Sequence, residues 1–147
     1  MILRETDITL DDLTILLDFL GQFGNLKGKT RLQKLVFLCQ TEFKGGFDYE
    51  FTPAQFGPLS YKLNHAIQRA KKLGLIEETL GVTTNGNPVF SYALTHEGEN
   101  FLEYSRQSKK IDDELHKAIK NTVNTYGNTS FGDLLDYVHT QYPELRS

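Results

Sequence analysis

The chain of 147 residues has few of the residues that cross-link or anchor a protein. Its single cysteine, Cys39, excludes an internal disulfide framework and a cysteine-based zinc ribbon. No apolar run approaches the roughly 20 residues of a membrane span. The first seven residues lack the basic flank and apolar stretch of a signal peptide. These absences predict a cytoplasmic protein that folds without disulfides, with Cys39 as a small buried apolar residue.

Basic residues are missing from one part of the chain and concentrated in another. The net charge of −3 argues against a generally basic nucleic-acid binder. The range 27–72 nevertheless holds nine Lys/Arg against three acids, a net +6, whereas the range from 75 to the end nets −5. The range 75–94 contains two acids and no base. This distribution indicates either an oriented electrostatic surface or solvated helix faces.

Capping residues and apolar spacing predict six helices. They are expected at roughly 10–22, 31–43 and 60–73, after Thr95, from 111 to Gly127, and after Ser130. Thr9 with Asp12 and Thr30 with Gln33 indicate capping boxes at the first and second helices. Ser60, Thr95 and Ser130 are the expected caps of three later helices.

The same chain predicts a small amount of β structure. The alternating residues 47–51 predict a short strand. Asn85-Gly86 predicts a two-residue hairpin turn that pairs Val82 with Val89. The same register pairs Leu80 with Ser91.

The order of these elements predicts a mainly helical α+β fold of the winged-helix type. Two helices, a short strand, a third helix and a β-hairpin wing form a core over about 8–107. The helical extension 108–147 packs on that core, so the range 1–147 is expected to be one domain. With 39% hydrophobic residues, this length can bury a sizeable core.

The third predicted helix, 60–73, is the element expected to enter the major groove of DNA. Its predicted outer face contains no acid, and it includes side chains able to read base edges or to bind phosphate. The bland alternative is an ordinary solvent-facing side of an amphipathic helix. Two bases at the start of the second helix would add phosphate contacts. The predicted DNA-binding residues are Lys29, Arg31, Tyr61, Asn64, His65, Gln68, Arg69 and Lys72.

Several motifs resemble those of YwgA-like proteins, over about residues 10–145. The segment 29–38, KTRLQKLVFL, resembles their RTKLQKLVYL opening, and YEF at 49–51 followed by FGPLS at 56–60 resembles their YEF … YGPYS segment. The tail DLLDYVH at 133–139 with YPE at 142–144 is similar to their ELLxYVYxxYPE ending. More distantly, the chain is similar to the Panacea antitoxin domain and to the C-terminal toxin-neutralising module of DarG-type antitoxins.

This resemblance implies a winged-helix fold without catalytic activity, and functions divided between DNA-associated regulation and toxin neutralisation. Leu59 departs from the pattern, which has an aromatic residue there. The chain lacks a correctly spaced phosphate-binding loop, a Gly-x-Ser-x-Gly elbow and a paired set of metal ligands, and its four histidines are scattered. We therefore expect no enzyme, no cofactor, no metal and no small-molecule substrate.

Two interpretations remain open at this point. The first, which the chemistry of helix 60–73 favours, is a DNA-binding regulator. The second is a protein-binding, antitoxin-like module that neutralises a toxin or another nucleic-acid-processing partner. The base-free wing favours the second, since DNA-binding wings usually contact phosphates with Lys or Arg. The sequence leaves a homodimer open.

Overall fold

The computed structural model describes residues 7–45, 47–108 and 112–145. Within them the protein has six α-helices and a three-stranded antiparallel sheet, which confirms the mainly helical α+β prediction. The winged-helix assignment itself stays a prediction. The elements are α1 (Leu10–Phe23), β1 (Asn25–Lys27), α2 (Lys29–Glu42), α3 (Tyr61–Lys72), β2 (Ile76–Val82), β3 (Pro88–Leu94), α4 (His96–Gln107), α5 (Asp113–Tyr126) and α6 (Phe131–Gln141), followed by a 3-10 turn (Pro143–Leu145).

Local capping signals set most helix starts as the sequence predicts. Thr9 and Asp12 form a reciprocal capping box at α1, and Ser60, Thr95 and Ser130 each accept a hydrogen bond from the third residue beyond them. The expected capping box at Thr30 is wrong, because α2 begins at Lys29 after Gly28 and no side chain caps it. Ile111, expected on α5, lies outside the described residues.

The sheet departs from the sequence prediction at two points. The first strand is Asn25–Lys27, which pairs with β3 in the order β1-β3-β2, and residues 47–51 form no strand. The hairpin pairs Val82 with Pro88 and Leu80 with Phe90, one residue away from the predicted register. Thr83 and Asn87 close a three-residue loop in which Gly86 adopts a φ of 82°. Glycine tolerates this positive φ, so Gly86 can occupy the last position of the three-residue loop. The hairpin therefore closes with this loop and not with the expected two-residue turn.

The core lies between α1, α2, α3 and the inner face of the sheet, and the C-terminal helices extend it. α1 and α2 are almost fully buried along their apolar faces, and Cys39 is buried within α2. Burial raises the pKa of the Cys39 thiol to about 11, as expected for an inert structural cysteine. α5 packs on α1 and α2, and α6 packs on α2. The extension therefore adds to the same hydrophobic core that the first 107 residues build.

A fully buried carboxylate, Asp18, joins three helices. His116 Nδ1 on α5 lies 3.1 Å from both Asp18 carboxylate oxygens, and Arg106 Nη2 on α4 lies 3.6 Å from Oδ1. Gln22 on α1 donates to the backbone oxygen of His116 at 3.2 Å. Since an ionised carboxylate is costly to bury alone, these contacts make Asp18 the polar anchor of α4 and α5 on α1.

We expect Asp18→Asn to lower the free energy of unfolding by about 2–3 kcal/mol, because it replaces one of the buried carboxylate oxygens that contact Arg106 and His116 with an amide donor. Glu103→Gln is the matched control, since Glu103 is an exposed acid that contacts the same Arg106 at 3.9 Å. That control should change stability by less than about 0.5 kcal/mol. Urea unfolding followed by circular dichroism measures both, and equal effects would contradict the anchoring role of Asp18.

Candidate functional site

Two glutamines of α2 hold the loop between α2 and α3 by its backbone. The Gln40 amide donates to the Tyr49 carbonyl at 2.9 Å and accepts from the Tyr49 amide at 3.0 Å. The Gln33 amide makes the same pair of bonds with Ser60, at 3.0 and 2.8 Å. Because the two glutamines are seven residues apart, they lie on one face of α2. They satisfy loop backbone groups that a neighbouring strand would otherwise pair, which explains why residues 47–51 are not a strand.

The pair of hydrogen bonds between Gln33 and Ser60, which we call the Gln33 clamp, also fixes the position of α3. Gln33 Nε2 donates to Asn64 Oδ1 at 2.9 Å, and Ser60 caps α3 through the amide of Leu63 at 3.2 Å. Gln33 is 2% exposed, so these bonds form away from water. α3 therefore begins at a place and in a direction that one side chain of α2 fixes.

A fully buried lysine, Lys34, lies beneath the turn that contains Gly57. Its ammonium donates to the Phe56 carbonyl, and more weakly to that of Thr30 at 3.4 Å. Gly57 has a φ of 96°, which favours glycine, and a Cβ atom there would lie 3.0 Å from Lys34 Cε, so any other residue would also push the lysine side chain aside. The Phe131 ring centroid of α6 lies 4.9 Å from the ammonium.

This arrangement places two of the sequence motifs in contact. Gln33 and Lys34 belong to the KTRLQKLVFL segment, and their bonds end on the backbone of FGPLS at Phe56 and Ser60. A cleft of about 250 Å³ lies beside the turn and is lined by Thr30, Gln33, Ala54, Gln55, Phe56, Gly57, Pro58 and Leu59. Leu59, the departure from the aromatic pattern, is thus one wall of this cleft. The cleft offers apolar surface and little polar chemistry.

Burial lowers the pKa of Lys34 to about 8, since no carboxylate pairs with it among the described residues. Between pH 8 and the ordinary lysine pKa, the folded protein holds a neutral amine while the unfolded chain binds a proton. Stability contributed by this residue must therefore rise with pH over that window. We expect the free energy of unfolding of wild type, minus that of Lys34→Met, to increase by about 1–3 kcal/mol from pH 7.5 to 10.5.

The comparison with Lys34→Met is necessary because buried tyrosines also titrate at high pH. Burial and the Glu42 carboxylate raise the pKa of Tyr142, so ionisation of that phenol favours unfolding. Its contribution is common to both proteins and cancels in the difference. Denaturant unfolding at a series of pH values measures the difference, and a flat profile would contradict an uncharged amine at Lys34.

The predicted DNA-binding residues do not form one free surface. Arg31 Nη2 donates to the carbonyl of Gly127, the C-terminal cap of α5, at 2.7 Å. The Asn64 side-chain oxygen accepts a hydrogen bond from the Gln33 amide. The Lys29 ammonium lies 5.8 Å from the Phe90 ring centroid, beside the hairpin. On α3, Tyr61 is 61% exposed, Lys72 is exposed, and His65, Gln68 and Arg69 are half-buried.

The acid-free face of α3 is bordered by acids of other elements. Lys62 Nζ lies 2.9 Å from Asp48 and 3.5 Å from Asp12, and Lys71 Nζ lies 2.8 Å from Glu78 of β2. These ion pairs neutralise two of the bases at the margins of that face. The helical projection of a single helix could not show this, because the three acids come from other parts of the chain.

The hairpin carries an exposed apolar surface that the sequence analysis did not identify. Its inner face begins as core at Tyr92 and continues outward as Leu80, Val82, Pro88 and Phe90, which we call the hairpin strip. Leu80 is 62% exposed, Val82 71% and Phe90 37%. Leu80 lies opposite Phe90 and Val82 opposite Pro88, so the strip is contiguous. Alternation of apolar side chains along β2 and β3 could have identified this surface from the sequence. It does so only with the observed register, because the predicted register places Leu80 opposite Ser91 and not opposite Phe90.

A second cleft, of about 490 Å³, lies between the end of α1 and α4. Its polar lining residues are Gln22, Glu99, Asn100, Glu103 and Arg106. The described residues that line it include no Ser, Cys or His, so they offer no pair of nucleophile and base. Among the described residues no group of three or more His, Cys, Asp or Glu is placed to hold a metal ion.

In comparisons with known proteins, no protein-family model and no curated protein matches the chain. The resemblance to YwgA-like proteins and to antitoxin domains therefore stays a prediction from its motifs. In the part of the chain that the structure describes, no helix combines the length and the apolarity needed to cross a membrane.

Proposed function

We propose that this chain is a non-catalytic protein-binding module that contacts its partner through the hairpin strip. The observation that carries the proposal is the exposure of Leu80, Val82 and Phe90 as one contiguous apolar surface. Contiguous apolar surface on a protein commonly marks an interaction site, whereas single exposed apolar residues do not. An antitoxin-like role against a nucleic-acid-processing partner is the form of this function that the motif resemblance implies.

The charge of the hairpin supports a protein partner over DNA. The range 75–94 carries Glu77 and Glu78 and no base, so it has no cationic group to pair with a phosphate. A partner with a basic surface meets this acidic and apolar element favourably. Arg31 supports the same choice, because its guanidinium is bound to the carbonyl of Gly127.

The test places a photo-crosslinking amino acid at position 82 of the full-length protein in its native host. We expect one discrete adduct, identified by mass spectrometry as a single protein. The matched control is the same group at position 104, an exposed tyrosine of α4 that lies outside the hairpin. The adduct should vanish when Leu80→Ser and Phe90→Ser are combined with the crosslinker at 82. Equal labelling from positions 104 and 82, or no adduct, would refute the proposal.

DNA binding is the second candidate, and the acid-free sequence of α3 favours it. Five of the predicted residues, Tyr61, His65, Gln68, Arg69 and Lys72, are at least partly exposed on that helix. If they contact a duplex, each phosphate contact changes the slope of log K against log salt by about 0.9. The combined change Arg69→Glu and Lys72→Glu would then flatten the slope by up to about 2.

Under the protein-binding proposal we expect a different result from the same salt titration. Wild type should bind duplex DNA no tighter than about micromolar at near-physiological salt, and the double variant should be indistinguishable from it. Fluorescence anisotropy with labelled duplexes measures both proteins. Submicromolar binding of duplex DNA by wild type, lost in the double variant, would contradict the protein-binding proposal and support DNA binding through α3.

A further inference from the structure

β2 is an edge strand whose outer side pairs with no other strand among the described residues. The sheet order β1-β3-β2 places β3 in the centre, so β2 (Ile76–Val82) has one paired and one unpaired side. Proteins usually protect such an edge with charged side chains, most often lysine, with proline or with a bulge. The charged side chains of β2 are both acidic, Glu77 and Glu78, so they disfavour an acidic strand and admit a basic one. β2 contains no lysine and no proline, and its register with β3 is continuous over seven pairs.

The hydrogen bonds of the sheet show which backbone groups point outward. Thr83 donates to the Asn87 carbonyl and Thr95 to the Leu75 carbonyl, so the odd-numbered residues of this ladder bond to β3. The Phe90 carbonyl accepts from Gly28 on the other side of β3, and Phe90 lies opposite Leu80. The amides and carbonyls of the even-numbered residues of β2 therefore face the outer side.

These outward groups lie next to the hairpin strip. Leu80 and Val82 carry the apolar side chains of the strip, and their own backbone groups point to the unpaired side of the strand. An extended segment placed along β2 would therefore gain main-chain hydrogen bonds and cover Leu80 and Val82 together. This combination is how strand addition obtains affinity from the backbone and specificity from alternate side chains.

We propose that the outer side of β2 binds a strand of a partner protein in antiparallel pairing. The proposal rests on the proposed function, since it specifies how the hairpin contacts its partner. The partner strand carries apolar residues opposite Leu80 and Val82 and a lysine or arginine opposite Glu77. Glu77 is exposed, and as an odd-numbered residue it occupies a non-hydrogen-bonded position on this side, where facing side chains approach most closely.

The charge of β2 disfavours a second copy of this chain as the occupant. Antiparallel pairing of β2 with itself about Thr79 brings Glu78 opposite Leu80 of the other copy, and it gathers four glutamates with no base on either strand. Lys71 already pairs with Glu78, so Glu77 is the carboxylate left for a partner to neutralise. A strand of another protein that carries one lysine or arginine can pair with the Glu77 carboxylate, while its apolar residues still lie opposite Leu80 and Val82.

The experiment uses the full-length protein and a synthetic probe of matching pattern. The probe is a capped, fluorescein-labelled peptide, Val-Thr-Val-Thr-Thr-Lys-Val, and its matched control has Glu in place of Lys. Fluorescence anisotropy measures affinity, and amide hydrogen exchange by NMR measures which backbone groups are covered. In the free protein the amides of Glu78, Leu80 and Val82 should exchange fast, while those of Thr79 and Gly81 are protected.

With the probe at saturation, we expect exchange at Glu78, Leu80 and Val82 to slow by at least about tenfold. The lysine peptide should bind about threefold tighter than the glutamate peptide, and Glu77→Lys should reverse that preference. Leu80→Pro removes an outward amide without breaking a bond to β3, so it should abolish binding. If that variant proves unfolded, the charge reversal at Glu77 and the exchange pattern still decide the question.

Each other outcome overturns strand addition. It fails if the three outward amides are already protected in the free protein, if the probe does not bind, or if binding leaves them unprotected. A crosslinked adduct at position 82 together with unprotected outward amides would refute strand addition and leave the proposed function standing. Absence of the adduct would refute the proposed function, whatever the peptide does.

Discussion

The arrangement of α2 and α3 depends on two side-chain amides that substitute for a strand. Gln40 and Gln33 each make a paired set of hydrogen bonds with one backbone residue of the segment between the helices, Tyr49 and Ser60. A side-chain amide can donate and accept at once, so it matches a backbone N–H and C=O as a neighbouring strand would. Because Gln33 is buried, loss of its hydrogen bonds would leave the Ser60 amide without a partner and free the start of α3, although the Ser60 carbonyl would still accept from Asn64. β2 follows α3 after a short turn, so the hydrogen bonds of Gln33 that position α3 also help to position the edge strand β2.

Local signals in the sequence predict the helices well because a cap and its amide lie within four residues. Thr9, Ser60, Thr95 and Ser130 all act as the sequence predicts. The strand predicted at 47–51 fails because alternation shows only that a segment can be a strand. Whether the segment becomes a strand depends on which groups bond to its backbone. Here the side-chain amide of Gln40 on α2 bonds to the Tyr49 backbone in place of a neighbouring strand. β1 has only three residues, too few for alternation to identify.

The candidate site shows the same division between local and distant causes. A projection of residues 60–73 correctly places Leu63, Ala66, Ile67 and Ala70 on the buried face. It also places Leu73 there, which is wrong, because Leu73 is the C-terminal cap of α3 and is 45% exposed. It cannot show that Asn64 is bound to Gln33. The hairpin strip is missed for a related reason: a register shift of one residue exchanges the faces of a strand pair, and the Asn85-Gly86 signal predicts the wrong register.

The C-terminal helices bear on the choice between the two functions, because they occupy the start of α2. Arg31 is bound to the end of α5, and Phe131 at the start of α6 lies against the ammonium of Lys34. At the other end of α2, Glu42 accepts hydrogen bonds from the hydroxyls of three tyrosines, Tyr126, Tyr137 and Tyr142. Both ends of α2 are thus committed to internal contacts.

A helix held in this way is a scaffold for its neighbours, since Arg31 in its first turn donates to the carbonyl of Gly127. The hairpin is different, because Leu80, Val82 and Phe90 are exposed and the outer edge of β2 pairs with no other strand among the described residues. Apolar surface in water is unfavourable by roughly 25 cal/mol per Å², so retaining it at a hairpin tip weakens the isolated protein. Under the proposed function, a partner that covers the hairpin strip would recover that free energy, which is why the proposed binding surface is the hairpin and not α2.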